Sequence, residues 1–280
     1  MDIFINEEPA DITLESEKTL GELVAGIEAW LAGSENRISG LRINGEPLQV
    51  SSLAEALEQD LQGIERLDIT ISAWPQLALE ALLTGKEALA AYENLSLEER
   101  RSIEERWEEH AAAHFLSEHL PDLAVLLQRT FRGELLPAEM GTLLDERIRE
   151  VTDPGKELRE ASTLISSIAT RLEDLPLDIQ TGKDRRAAET VDLFARTAEK
   201  LLRLVRLLQL QGFALESFVI DTLPFSDFIN EFRGALSELV SAYENQDAVL
   251  VGDLAEYELS PRLLKLYASV RDNIDRDKLI

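Results

Sequence analysis

The chain has 280 residues, of which 45% are hydrophobic and 29% charged, enough for a sizeable core and within the range of ordinary globular proteins. Its 28 Lys and Arg against 54 Asp and Glu give a net charge of −26, which repels phosphate backbones and anionic headgroups and so argues against nucleic-acid binding and electrostatic membrane docking. The lack of cysteine removes disulfides, thiolate metal sites and thiol nucleophiles together.

The opening, Met1 to Glu8, has neither a basic n-region nor a long apolar run, and no stretch reaches the roughly 18 uninterrupted apolar residues of a membrane span. A cytoplasmic setting is expected. Residues 1–73 read as a small sheet domain. Ile3 and Ile5 alternate with Asp2, Phe4 and Asn6 as a first strand. Glu8-Pro9 breaks it, and Ile12 and Leu14 resume as a second strand over Asp11–Glu15. Thr19 and Glu22 form a capping box ahead of an amphipathic helix carrying Leu20, Leu23, Val24, Ile27, Trp30 and Leu31, which ends near Gly33. Trp30 is expected in the core. Ile38 to Ile43 predicts a third strand, and Asn44-Gly45 a hairpin, because both residues tolerate positive φ. Ser52 to Glu55 caps a short second helix, and Leu67, Ile69 and Ile71 predict a closing strand. This segment holds 4 basic and 15 acidic residues, hence −11, and is the most acidic per residue; 74–152 carries −8 and 153–280 carries −7.

On the strands Met1–Ile5, Asp11–Glu15 and Leu67–Ile71 and the hairpin Leu41–Leu48, this order resembles the ubiquitin-like β-grasp fold over the first quarter of the chain. The resemblance implies an interaction module. Ubiquitin presents an apolar patch on its sheet, and the corresponding strand positions here are Arg42, Asp68 and Thr70, so recognition by ordinary ubiquitin receptors is not expected. Arg42 becomes a candidate partner contact. Ser72-Ala73-Trp74-Pro75 runs into a helix in place of a Gly-Gly tail, and the chain closes on Asp277-Lys278-Leu279-Ile280, so conjugation and sulfur-carrier chemistry are not expected either.

Residues 74–152 read as a helical connector. Pro75 suits the first turn of a helix carrying Leu77, Ala78, Ala81, Leu82, Ala88 and Leu89 toward Tyr92. Ser96 to Glu99 is another capping box, opening a charged helix that runs through about His119. Pro121 and Pro137 are expected at the first positions of further helices, with Gly133 ending the one between. All three histidines fall in this segment. His110 and His114 are i,i+4 with Glu118 a turn further on, which would offer two imidazoles and a carboxylate to Zn(II) or another divalent metal. Ala111-Ala112-Ala113 replaces the Glu of a His-Glu-x-x-His protease, and a solvated helix face accounts for the same spacing. Trp74 is placed to cement neighbouring segments. Trp107 is a candidate for a partner interface, with packing against a neighbouring helix as the alternative.

Asp153-Pro154 opens a bundle over residues 153–280. Leu158, Ala161, Ile165, Ile168, Leu172 and Leu175 mark its first helix. Ala187, Val191, Phe194, Ala198, Leu201, Val205 and Leu208 mark the second, widened by Leu202, Leu204 and Leu207 beyond what one neighbour covers. Phe225, Phe228, Phe232, Leu236, Leu239 and Tyr243 mark a third, and a fourth from Asp247 is interrupted at Ser260-Pro261. Short connections predict antiparallel packing with a core that needs no cofactor. Asp247–Pro261 and Gly182-Lys183-Asp184 make this part resemble small all-helical bacterial proteins of unknown function, which implies fold and bacterial origin only.

Within this part, Thr181-Gly182-Lys183-Asp184 lacks the upstream Gly and the Mg-binding hydroxyl of a phosphate loop and reads as a helix cap with Thr181 at N-cap. Asp253 and Glu256 are expected to face inward and pair with Arg262 or Arg271, or to meet a partner. The basic run Lys183, Arg185, Arg186, Arg196, Lys200, Arg203 and Arg206 is largely explained by neighbours such as Asp192 and Glu199. Arg196, Lys200 and Arg203 stand as candidates for docking an acidic or phosphorylated partner, the acidic first domain included.

These readings converge on an α+β protein, a ubiquitin-like β-grasp domain followed by a mostly antiparallel α-helical bundle. The expected role is a non-enzymatic cytosolic adaptor or assembly factor that binds a protein partner or a second copy of itself. The alternatives are a metal-dependent hydrolase on His110, His114 and Glu118, and an accessory factor of a bacterial secretion or motility machine.

Overall fold

The computed structural model describes residues 1–13, 17–32, 34, 36–48, 52–93 and 95–277. It is a mixed α+β chain, a sheet followed by a mostly helical region, and it divides into two units, Met1–Val151 and Thr152–Ile280. The segment expected as a connector shares the first unit with the sheet.

The sheet is built from β1 (Asp2–Ile5), β2 (Glu8–Pro9), β3 (Asn36–Ile43), β4 (Glu46–Pro47) and β5 (Arg66–Ala73), with α1 (Leu20–Leu31) and the short α2 (Leu53–Leu57) between them. Its order is β2-β1-β5-β3-β4. β1 runs parallel to β5, with Ile3 opposite Leu67, and the other pairs are antiparallel. Strand alternation sends Ile3, Leu41, Leu67 and Ile69 to one face, where they meet Leu20, Leu23, Ile27 and Leu31 of α1 in one buried cluster. The capping box is present: Thr19 Oγ1 accepts from the Glu22 N–H, and the Glu22 carboxylate accepts from the Thr19 N–H.

Two readings change here. The second strand is Glu8–Pro9, the pair expected to break the sheet, because Asn6 and Glu7 adopt φ of 49° and 70° and turn the chain at once. The Asn6 amide then holds Ile71, donating to its carbonyl at 3.1 Å and accepting its N–H at 2.8 Å. Pro9 is tolerated because it stands on a sheet edge. Leu14 and Glu15 of the expected strand, and Gly33 at the expected helix end, lie outside the described residues. Trp30 is not core; it lies on the flank of the α1 stripe and is 72% exposed. The Asn44-Gly45 hairpin forms as predicted, with φ of 50° and 89°, and Asn44 Oδ1 accepts from the N–H groups of Glu65 and Arg66.

The first unit continues through α3 (Trp74–Glu93), α4 (Leu97–Glu108), α5 (Ala111–His119), α6 (Pro121–Phe131) and α7 (Pro137–Thr152). Leu82, Leu89, Tyr92, Trp107, Leu116, Leu127, Phe131 and Leu144 are among its buried side chains. Gly85 lets α3 approach closely: a Cβ there would stand 3.2 Å from Leu127 Cδ2 and 3.4 Å from Trp107 Cη2. The single charged helix expected through His119 is two helices, because His110 is extended (φ −80°, ψ 138°) and caps α5.

The second unit comprises α8 (Pro154–Glu160), α9 (Ser162–Gln180), α10 (Asp184–Leu210), a hairpin of β6 (Val219–Ile220) and β7 (Leu223–Pro224), α11 (Phe225–Glu244), α12 (Ala248–Asp253) and α13 (Ser260–Asp277). Phe194 and Phe232, both fully buried, meet edge to face at 6.4 Å. Leu204 and Leu207, the widening of the α10 stripe, are buried with them. The hairpin has no counterpart in the expected elements; its turn is made by Asp221 and Thr222 at φ of 52° and 75°.

Between α12 and α13 the chain does not break at Pro261. It widens into a π-helical stretch, Leu254–Leu259, in which the Ser260 N–H reaches back to Ala255 O. Relaxing the register ahead of a proline accommodates its missing N–H and its ring. Ser260, 1% exposed, donates to Ala169 O at 3.2 Å, with Glu173 Oε1 also at 3.2 Å.

Thr181 does not cap α10. It closes α9, donating from Oγ1 to Leu177 O at 2.7 Å, and Gly182 (φ 68°) lets the Lys183 N–H reach Asp178 O at 2.8 Å. Asp253 and Glu256 do not face inward together; Asp253 is exposed and Glu256 half-buried, while Arg262 pairs with Glu258 and Glu231 and Arg271 with Asp272. The carboxylates that are buried are Glu150, Glu157 and Asp178, held by Arg147, by Lys200, and by Lys183 with Arg186. Among the described residues, no helix is long and apolar enough to cross a membrane.

Candidate functional site

The face of the sheet turned away from α1 gathers a cluster of polar and charged groups. Its members follow from alternation: Arg66, Asp68 and Thr70 are every second residue of β5. The neighbouring strands complete the face, because Phe4 of β1 and Arg42 of β3 both stand opposite Asp68. Asp68 is therefore the centre of the site.

The Arg66 guanidinium donates to Asp68 from Nε at 2.9 and 3.0 Å and from Nη2 at 2.6 Å, and its Cζ stands 3.8 Å from the Phe4 ring centroid. Arg42 donates from Nε and Nη2 to Gly45 O at 3.3 and 3.0 Å, which ties it to the β3–β4 turn. The hydrogen bond from Arg66, reinforced by the charges of Arg66 and Arg42, holds the Asp68 carboxyl below its ordinary range against the opposing effect of desolvation. The same hydrogen bond raises Arg66. Around these groups lies an open depression of about 960 Å3 that also takes in Asn6, Glu7, Asn44 and Glu65. Such an array offers a planar cation, a fixed anion and an aromatic face within one strand spacing. It is suited to pairing with a polar surface of complementary pattern.

Arg42, Asp68 and Thr70, singled out from the sequence, thus share one face. Phe4 and Arg66 were missed, although their parity along β1 and β5 was readable once Asp68 was assigned outward. The other expected sites are distributed differently. His110 accepts the Ala112 N–H on Nδ1 at 3.1 Å and stacks on Trp107, so it is not a turn below His114 on one continuous helix. Glu118 is 77% exposed, and His119 packs against Phe115 and Trp74. Among the described residues, no group of three or more His, Asp and Glu could hold a metal ion.

Trp107 is not available to a partner; it is 6% exposed and packs edge to face on Phe131 at 5.8 Å. Arg196 is exposed and paired with Asp192 one turn away. Lys200 turns inward to Glu157, 3.1 Å away on α8, and Arg203 is half-buried. The three do not form one exposed basic face.

Residues 1–73 match the model of the TP0873 N-terminal domain, and residues 156–269 match a Domain of unknown function (DUF8042). The chain is 23% identical over 261 residues to a protein of Treponema pallidum (strain Nichols) described as an uncharacterized protein, the alignment spanning 93% of this chain and 92% of the relative. No solved structure matches.

Proposed function

We propose that this protein is a non-enzymatic cytosolic adaptor or assembly factor that docks another protein on the open face of its N-terminal sheet. The observation that carries the reading is the Arg66–Asp68 pair laid over Phe4 beside Arg42, a charged surface fixed in place before any partner arrives. The strand order, with a parallel central pair and one helix across the inner face, supports a ubiquitin-like β-grasp module in that role. The three-residue link from α9 to α10 supports an antiparallel bundle in the second unit. His110 and His119 serve as a helix cap and as packing, which favours binding over metal chemistry.

The test is affinity capture from the native host with the full chain, comparing the wild type with Arg66→Glu and Arg196→Glu. A defined protein retained by the wild type and by Arg196→Glu, and lost with Arg66→Glu, supports the reading. Equal retention by all three, or a wild type that recovers no protein, overturns it.

A further inference from the structure

A second surface of the same unit lies between α1 and the chain leaving β2. It is a groove of about 530 Å3 whose apolar walls include Ile5, Ile12, Leu23, Ile27 and Trp30, with Gly26 opening onto it. Two of these residues are out of keeping with a helix that only packs on its own sheet. Trp30 leaves 72% of its surface in water although Ile27 and Leu31 beside it are buried. An indole so placed forgoes most of the free energy its burial would release.

Gly26 stands one turn before Trp30, in the middle of a helix, where glycine is among the poorest choices. A Cβ on Gly85 would press on Leu127, and one on Gly252 on Pro176, whereas Gly26, like the exposed Gly234 of α11, has no such neighbour. Among the described residues, a Cβ on Gly26 would meet nothing within 4 Å. Without a Cβ there, the groove is open at that point to a side chain from outside.

The surroundings state the charge of that group. Asp11 and Glu17 line the groove, Glu28 is exposed on α1, and residues 1–73 hold 15 acidic residues against 4 basic. An apolar visitor flanked by Lys or Arg is attracted; nucleic acid and anionic lipid are repelled. We propose that this groove receives a short basic and apolar segment of a partner protein, with a Leu- or Ile-sized side chain over Gly26 against Trp30 and its cations toward Asp11 and the acidic surface around it. The face is separate from that of Arg66, and the proposal stands independently of it.

Fluorescence anisotropy of labelled peptides with the full-length chain tests this. The probes are a short peptide alternating Leu and Lys, a Ser/Lys peptide of equal charge, and a neutral Leu/Ser peptide. The Leu/Lys peptide is expected to bind saturably and to shift the NMR methyl signals of Ile5, Ile12 and Ile27. Gly26→Leu fills the groove without a clash and improves the helix, and it is expected to weaken binding by about tenfold or more. Trp30→Ala, a change at an exposed side chain, should do the same and serves if Gly26→Leu fails to fold. The Ser/Lys and Leu/Ser peptides should each bind at least about tenfold more weakly. Arg196→Ala, a change at an exposed residue of α10, should leave the Leu/Lys affinity unchanged. Undiminished binding by Gly26→Leu and Trp30→Ala, a Ser/Lys or Leu/Ser peptide as tight as Leu/Lys, or methyl shifts confined to other regions would overturn the proposal.

Discussion

Arg66 and Phe4 are brought together by the parallel pairing of β5 with β1, which sets the guanidinium carbon 3.8 Å from the ring centroid while the same group bonds Asp68. The pair has a measurable electrostatic signature. Arg66→Ala is expected to return the Asp68 carboxyl toward the ordinary value of about 3.9, read by NMR titration of its side-chain carbon. Because the folded pKa is lowered, the associated stability is complete above the unfolded value and is lost as pH falls through the lowered native one. The wild type should therefore lose this increment on acidification, and Arg66→Ala should have only the smaller share due to Arg42 to lose. Identical acid-unfolding curves would contradict that.

Lys200 and Arg196 lie one turn apart on α10 and should behave in opposite ways. Lys200→Ala removes one charged hydrogen-bond partner from the buried Glu157 and is expected to cost about 1.5 kcal/mol or more in urea unfolding. Arg196→Ala removes an exposed pair with Asp192 and should change stability by no more than about 0.5 kcal/mol. A comparable cost for both would show that the burial of Glu157 has no energetic consequence.

Ser260 joins the end of the π-helical stretch to α9. Ser260→Ala removes its bond to Ala169 O and its contact with Glu173 Oε1, and is expected to cost about 1 kcal/mol. Hydrogen exchange should quicken in Leu254–Leu259 more than in α11. Uniform exchange across the two segments would deny Ser260 a local role.

The second unit contains a complete buried cluster of its own, from Leu158 to Ile274. A chain beginning at Thr152 should therefore fold alone, with a cooperative thermal transition in calorimetry. Within it, Phe232→Ala should cost about 3–5 kcal/mol through the cavity left against Phe194. A fragment lacking a cooperative transition would place part of its stability outside residues 152–280.

The features readable in the sequence are those set by neighbours in the chain. Thr19 and Glu22 mark the start of α1, Asn44-Gly45 marks a turn, and the steps of three and four from Ala187 to Leu208 trace the buried side of α10. What escaped depends on partners distant in sequence or on very short elements. Glu8-Pro9 is too brief to show alternation, and its proline reads as a break. Trp30 falls within the angular spread of the α1 stripe, so spacing alone cannot tell flank from floor. His110 caps α5 with a ring nitrogen, which is not among the usual capping groups. Glu157 and Lys200 meet only because α8 packs on α10. The polar sheet face was half legible: Arg42, Asp68 and Thr70 follow from strand parity, whereas Phe4 and Arg66 join them only once the β1–β5 register is known.

That register has a consequence for biosynthesis. Ile3 is made well before the strand that must lie beside it, which comes only when Leu67 has been added. The β1–β2 and β3–β4 hairpins can close locally and early, but the middle of the sheet stays open until β5 arrives between them. Joining ends so far apart adds little to the equilibrium cost, since loop entropy grows only slowly with length; it delays the step. While it waits, β1 exposes an unpaired edge and the oily side of α1 lacks its cover, so β1 and α1 are where a ribosome-bound chaperone would have most to shield.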